Sequence, residues 1–386
     1  MNKVNYKTNQ VFVAACAGLA FFGVAMLSLG PILGQLNARV EGATALPSTM
    51  SIGIILGTVL FGPVVDRFGY KWLLIIGSLL SLIGLEGLAN ALEIQLLHGA
   101  MFMIGFGGGI LNGLTNALVS DIYDDRRRGG RLSILGAFYC VGALLWTLLN
   151  YCMPDNYIVP LHCISGVMAL FIVYFCLIQF PQAKPQGSVS FTKTVGLLKY
   201  PALLLFAVIL FFQSGFEGAS GSFTPKYLED HGGVAATAAT LSLTWFTVGM
   251  LCGRLPLGLI MKKLRDNGTL YLYLTVALAG VAILYFSSDV TLVHLAMALV
   301  GFGVGATYPV VLAYLGGAFR EMSGTAFSIA IFIALCGQFA FNKVVGVMFD
   351  RGGYAWFPVV LALAVVMMML LLPVAAAAVR KKTGKA

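Results

Sequence analysis

Glu217 is the residue in this sequence most able to do chemistry. It stands about midway along FFQSGFEGASGSFTPKY, from Phe211 to Tyr227, a stretch otherwise apolar or small. Even lenient insertion scales assign about 2.5–3.5 kcal/mol to an acid at the centre of a spanning helix, so such an acid reads as functional by default. A carboxyl in that setting can hold a polar solute, or take up and release a proton. Gln213 falls four residues earlier on the same helical face, and Gly215, Gly218 and Gly221 keep the helix slim enough for a solute or a neighbouring backbone to approach.

Other polar groups recur at helical spacing in apolar surroundings. Asn112, Thr115, Asn116 and Ser120 fall at i, i+3, i+4 and i+8, and Tyr139, Trp146 and Asn150 share one face of the following apolar run. Later come Trp245 and Thr247, Thr307 and Tyr308, and Gln338 with Asn342 at i, i+4. Aromatic planes and amides together suit a sugar-like solute, stacking on its apolar face and hydrogen-bonding its hydroxyls. Hydrogen bonds between packed helices are the competing explanation of the same residues. Pro309 frees a backbone carbonyl that can serve a ligand, a hinge or a simple kink. Glu86 falls near the end of its apolar run, where it can snorkel or pair at headgroup level. No His/Cys/Asp cluster has metal-ligand spacing, and no nucleophile triad or phosphate loop is present, so neither an enzyme nor a cofactor is expected.

The elements that must carry these groups follow from composition. With 386 residues, 59% hydrophobic and only 10% charged, and a mean hydropathy of +0.91, the chain lies outside the range of soluble domains. Apolar windows long enough to cross a hydrocarbon core of about 30 Å can be placed twelve times. They run from residues 11 to 36, 47 to 65, 72 to 91, 95 to 119, 132 to 151, 157 to 180, 202 to 226, 235 to 260, 269 to 287, 291 to 316, 323 to 346 and 355 to 378. With the N-terminus inside, only Arg39, Lys226, Lys343 and Arg351 of the 24 Lys and Arg residues fall on the outer side, which puts both termini in the cytoplasm. That placement also accounts for the net charge of +9 without a nucleic-acid partner. The first apolar run has the length of a spanning helix rather than of a cleavable signal peptide. All seven cysteines lie in or beside spans and read as buried free thiols, Cys152 and Cys163 being the one pair able to meet in a disulfide.

PQAKPQGSVSFTKTVGLLKYP, which opens at Pro181, is the one sizeable polar connector. It divides the chain into a bundle at 1–180, a cytoplasmic linker at 181–200 and a bundle at 201–386. GFGGG at Gly105 to Gly109 recurs as GFGVG at Gly301 to Gly305, and the same shift carries Gly62 onto Gly258. The chain therefore reads as all-α and integral to the membrane, with twelve transmembrane helices in two six-helix parallel repeats.

The loop after the second span, GPVVDRFGYKW, resembles the G-x-x-x-D-R-x-G-R-[KR] signature of the major facilitator superfamily at Gly62, Asp66, Arg67, Gly69 and Lys71, with Tyr70 in place of its first basic residue. There Asp66 can sit at a helix end while Arg67 and Lys71 donate to neighbouring helix termini, a latch that gates one conformation. Leu135 to Ala143, the Gly105 to Asn116 segment, Gly-Phe-Glu at Gly215 to Glu217, and Gly301, Gly303 and Pro309 together resemble the fucose permease branch. That resemblance implies the major facilitator fold, alternating access, a central site lined by the first, fourth, seventh and tenth helices, and proton-coupled sugar uptake. The fourth-helix acid of that branch aligns with Asn112, which leaves Glu217 as the proton-coupling candidate. The expected protein is a secondary transporter of a small polar solute, a monosaccharide or sugar derivative, acting as a monomer among lipids in a bacterial inner membrane. Efflux of amphipathic cations and facilitative uniport are the alternatives within transport. A non-transporting membrane sensor would be expected to carry a cytoplasmic signalling segment, against which the short tail from Arg380 to Ala386 argues.

Overall fold

The computed structural model describes residues 6–29, 32, 36, 39–40, 46–153, 156–182 and 196–383. Long runs rich in Leu, Ala, Phe and Met form helices, the one open structure that satisfies every backbone donor and acceptor internally where water is excluded. In chain order they are α1 (Thr8–Leu27), α2 (Leu46–Phe68), α3 (Tyr70–Asn90), α4 (Ile94–Ile122), α5 (Asp125–Cys152), α6 (Ile158–Leu177), α7 (Pro201–Asp230), α8 (Ala236–Arg254), α9 (Leu257–Phe286), α10 (Val290–Val304), α11 (Thr307–Ala318), α12 (Ser323–Asp350) and α13 (Phe357–Thr383). Twelve spans among the described residues are long and apolar enough to cross a membrane, α10 and α11 together making the tenth.

Local chemistry sets several ends. Gly69 alone separates α2 from α3 and takes φ +81°, a conformation that the Cβ of another residue would strain. Asp289 caps α10, its Oδ1 accepting from the Leu292 N–H at 3.0 Å. Pro201 opens α7, where its missing N–H has no helical partner to lose.

Some boundaries differ from those read off hydropathy. The first span was expected over 11–36, but α1 ends at Leu27, and most of the stretch from 30 to 45 lies outside the described residues. Residues 261–268, which the expected spans leave as a connection between the eighth and ninth, are helical, because Leu, Lys and Arg are good helix formers and α9 already starts after its N-cap, Pro256. For the same reason DRRRGGR forms the first turns of α5, with Arg128 Nη1 2.6 Å from Asp125 Oδ1. Of the linker expected at 181–200, residues 183–195 lie outside the described residues.

The chain divides into two compact units. One comprises Met1–Asp124, Phe138–Thr194 and Arg320–Ser328; the other comprises Asp125–Ala137, Val195–Phe319 and Ile329–Ala386. In the first, α4 packs against α1, α2 and α3; in the second, α10 packs against α8 and α9, and α7 packs against α13, α8 and α11.

The internal duplication reaches single backbone atoms. A Cβ at Gly105 would overlap the Met50 carbonyl oxygen, and at the constant shift one at Gly301 would overlap that of Phe246. Gly53 meets the Phe102 carbonyl as Gly249 meets that of Ala298, and Gly57 meets Phe106 as Gly253 meets Phe302. On the neighbouring helices, a Cβ at Gly84 would lie 2.7 Å from the Ala100 oxygen, and one at Gly280 2.7 Å from the Ala296 oxygen. Small residues four apart thus bring α2 onto α4 and α8 onto α10 at backbone contact, where dispersion between helices needs no apolar side chain.

Candidate functional site

Within the second unit, α7 holds the acid on which the sequence reading centred. Gln213 is fully buried, and its Nε2 donates to Glu217 Oε2 at 3.4 Å and to the Val304 carbonyl at 3.3 Å. Glu217 lies deep among protein atoms yet is only half-buried by its accessible surface. The i, i+4 spacing therefore produces a paired amide and acid, anchored to the last carbonyl of α10.

That anchor stands at a discontinuity. The tenth span breaks at Gly305 and Ala306, three residues before Pro309, which has no N–H to offer the Gly305 carbonyl one turn back. The Nε of Arg254, the buried last residue of α8, lies 3.4 Å from that carbonyl. A second guanidinium nitrogen, Nη1, donates to the Gly136 carbonyl on α5. The Arg254 charge also acts on Glu217. Arg254 was counted in the sequence only as a charge at a span end; its place inside the apolar run WFTVGMLCGRLPLG is the signal that could have singled it out.

Around this cluster, Thr307 is fully buried, Tyr308 is half-buried, and the Gln338 side chain lies against Gly218. Gln213 Oε1, Thr307 Oγ1 and Asn342 Oδ1 are buried and engage in no hydrogen bond with the protein, as are the hydroxyls of Ser220 and Thr224 farther along α7. Trp245 stands apart, 43% exposed, with its ring 6.2 Å from that of His294.

In the first unit, the stripe on α4 is buried: Asn112 is 8% exposed, Asn116 4%, and Thr115 and Ser120 not at all. Its hydrogen bonds run along its own helix. Asn116 Nδ2 donates to the Asn112 carbonyl at 2.7 Å, and Thr115 Oγ1 to the Leu111 carbonyl at 2.8 Å. On α5, the half-buried ring of Tyr139 packs 5.6 Å from that of Phe22. Trp146 is fully enclosed, with its Nε1 donating to the Leu27 carbonyl at the end of α1 (2.7 Å), and Asn150 Nδ2 donates to the Trp146 carbonyl at 2.8 Å.

The loop between α2 and α3 also acts within the first unit. Asp66, 4% exposed, accepts from the Gly324 N–H (3.2 Å), the Thr325 N–H (2.9 Å) and the Thr325 hydroxyl (2.7 Å), so its charge faces the positive end of α12. Gly62 lies against Ser328, where a Cβ would stand 2.7 Å from the Gly324 oxygen. Lys71 Nζ donates to the carbonyls of Cys176 (2.7 Å) and Ile178 (3.1 Å) at the end of α6. Arg67 is exposed and lies over the Phe68 ring at 5.1 Å, so of the two cations expected to reach helix termini Lys71 does and Arg67 stacks. Tyr70, which stands where the motif has a base, donates instead to Asp121, whose other oxygen accepts from Ser323 Oγ at 2.9 Å.

The remaining candidates fall outside these clusters. His162 Nδ1 lies 3.0 Å from Glu86 Oε2, and Asn90 Nδ2 donates to the Glu86 carbonyl at 2.9 Å, so Glu86 is paired as its place in the sequence allowed. None of the seven cysteines is in a disulfide, Cys152 and Cys163 included, but only Cys16 and Cys140 are buried as expected; the other five are exposed on the outer faces of their helices, where apolar surface meets lipid rather than protein. No group of three or more His, Cys, Asp or Glu able to hold a metal occurs among the described residues.

Comparison with known proteins bears on the whole arrangement. A TsgA homolog of Erwinia tasmaniensis is 25% identical over 87% of this chain and 86% of its own. The uncharacterized MFS-type transporter YfkF of Bacillus subtilis is 23% identical over 75% of each chain. Among solved structures, FucP in the outward conformation superposes with a TM-score of 0.81 at 18% identity, over 94% of this chain and 98% of that one. The proton:xylose symporter XylE gives 0.76 at 15% identity over 98% and 96%, and the human organic anion transporter MFSD10 gives 0.78 at 14% over 95% and 99%. These likenesses share one fold, that of transporters. With the profile of the Major Facilitator Superfamily matching residues 11–341, the twelve apolar helices and the duplicated glycine contacts find their common explanation: the chain is a multi-pass membrane transporter belonging to that superfamily.

Proposed function

We propose that this transporter carries a monosaccharide or sugar derivative across a bacterial inner membrane by alternating access, with proton coupling through Glu217. The observation that carries the reading is the Gln213–Glu217 pair beside the break in the tenth span, with the unengaged acceptors Gln213 Oε1, Thr307 Oγ1 and Asn342 Oδ1 in the same unit. Buried polar atoms as a rule find partners, and a solute rich in hydroxyl groups supplies donors to such acceptors. When ionised, Glu217 accepts from Gln213; when protonated, it gains a donor of its own. One side chain can therefore couple a proton to a change in what the neighbouring groups offer a solute.

The solute-binding groups we propose are Gln213, Glu217, Thr307, Tyr308, Gln338 and Asn342 in the second unit, and Asn112, Asn116 and Tyr139 in the first. Trp146, enclosed and bonded to α1, serves packing in this account. The sugar:proton symporters among the fold's solved members support the solute class, and the charge bias of the sequence supports cytoplasmic termini. The halves are taken as 1–180 and 201–386, joined by a cytoplasmic linker, with Gly62, Asp66, Arg67, Gly69 and Lys71 gating the cycle in a monomer.

The test is counterflow in proteoliposomes with a panel of labelled monosaccharides, and with lipophilic cations as the competing class. Exchange of a sugar that weakens on Glu217→Gln supports the reading, whereas exchange of cations alone replaces it with efflux.

A further inference from the structure

Among the described residues, Arg254 is a buried base of the second unit that the proposed transport step does not use. Three observations meet on it. Its guanidinium approaches the Gly305 carbonyl that Pro309 leaves without a helical donor, and it also donates to Gly136 on α5. The next carbonyl back, that of Val304, is held by Gln213, which in turn holds Glu217. A base on α8 and an amide on α7 that also holds the acid thus grip adjacent carbonyls of one helix break.

We infer that Arg254 is a positioning residue: it is the counter-charge of Glu217, and through its two carbonyl contacts it ties the charge state of that acid to the break in the tenth span and to the first turns of α5. The inference rests on the reading of Glu217 as the coupling residue.

The surroundings leave little else to balance the acid. The elements packed on α7 include α8, α11, α12 and α13. Near Glu217, α8 brings Arg254, and α11 brings the uncharged Thr307 and Tyr308. α13 has no charged residue between Phe357 and Val379. From α12 come Gln338 and Asn342, with Lys343 the next charge along it. His294, on α10, is engaged with the Ala238 carbonyl at 3.0 Å. An ionised Glu217 therefore draws on Arg254. When Glu217 takes a proton that attraction is lost, while the guanidinium keeps its contacts to the Gly305 and Gly136 carbonyls. Arginine suits the task because its planar fork can serve several acceptors at once, whereas the ammonium of lysine is a point charge.

The test needs neither solute nor gradient. Thermal midpoints of the full-length protein in lipid nanodiscs are compared for wild type, Arg254→Gln, Glu217→Gln, the double variant and Arg254→Lys. Arg254→Gln strands a buried carboxylate, and the midpoint is expected to fall by roughly 4–6 °C. Glu217→Gln in the same chain should restore most of that loss, and Arg254→Lys, which keeps the charge without the fork, should fall between wild type and Arg254→Gln. Losses that simply add in the double variant, or a lysine variant as unstable as the glutamine one, overturn the inference. Should Arg254→Gln fail to accumulate in the membrane, the double variant decides: recovery of a folded protein supports the pairing, and equal failure overturns it. A pH gradient that drives no transport would sink the coupling reading while leaving the cycle intact, and additivity would sink only the pairing.

Discussion

Asp66→Ala should be among the most damaging single substitutions outside the solute site, and its cost can be worked from the contacts. The carboxylate is 4% exposed and accepts three hydrogen bonds at 3.2, 2.9 and 2.7 Å, two of them from backbone N–H groups at the start of α12. Hydrogen bonds to a charged group contribute about 1.5–3 kcal/mol each, and a buried donor left unpaired costs about 1–3 kcal/mol. Water cannot readily take the place of so enclosed a group, so the sum is bounded by what removing one partner from a buried charged network costs, roughly 3–5 kcal/mol. For a chain of this size that corresponds to a fall in the thermal midpoint of roughly 4–6 °C. Asp66→Asn keeps one acceptor oxygen but loses the charge and its interaction with the helix end, and should cost about half as much. Differential scanning fluorimetry at one scan rate reads the midpoint, and hydrogen exchange of the peptide covering 320–330 reads the helix end directly. A fall of less than about 2 °C for Asp66→Ala, or unchanged exchange at 324 and 325, refutes the assignment.

Other substitutions follow the same logic. Lys71→Ala removes two bonds to the α6 carbonyls from a side chain near solvent and should cost less than about 1 kcal/mol in the same melting assay. Gly105→Ala and Gly301→Ala each force a Cβ into a carbonyl oxygen and should destabilise by about 1–3 kcal/mol, whereas Gly99→Ala, with no atom within 4 Å of the added carbon, should show no loss. Trp146→Phe deletes the donor to the Leu27 carbonyl and should lower the midpoint by the equivalent of about 1–2 kcal/mol while leaving counterflow affinity unchanged.

Local periodicity carried much of this site, and long-range contacts the rest. The pairing of Gln213 with Glu217 was legible because i, i+4 residues share a helical face, and the loop with Asp66 was legible through its resemblance to a known signature at Gly62, Asp66, Arg67, Gly69 and Lys71. What Asp66 holds was not, since Gly324 and Thr325 lie about 260 residues away with nothing in their own neighbourhood to mark them. Two glycine matches announced the duplication, but only the carbonyls they meet extend it to Gly53, Gly57 and Gly84 and their partners. Arg254 was overlooked because charge at a span end was read as topology alone; the argument that made Glu217 conspicuous applies equally to a base two residues before Pro256 in the apolar run from Trp245 to Gly258. The polar stripe on α4 marks another limit of periodicity. Asn116 and Thr115 close on carbonyls of their own helix, a use that periodicity cannot distinguish from facing a solute.

The most direct measurement is accumulation of a counterflow-positive monosaccharide in proteoliposomes with and without an imposed pH gradient, for wild type and Glu217→Gln. Proton coupling through Glu217 predicts that the gradient drives wild type to concentrate the sugar above its external level, and that the variant only equilibrates it. A wild-type accumulation ratio that ignores the gradient, or a Glu217→Gln protein that concentrates the sugar as well as wild type, contradicts it.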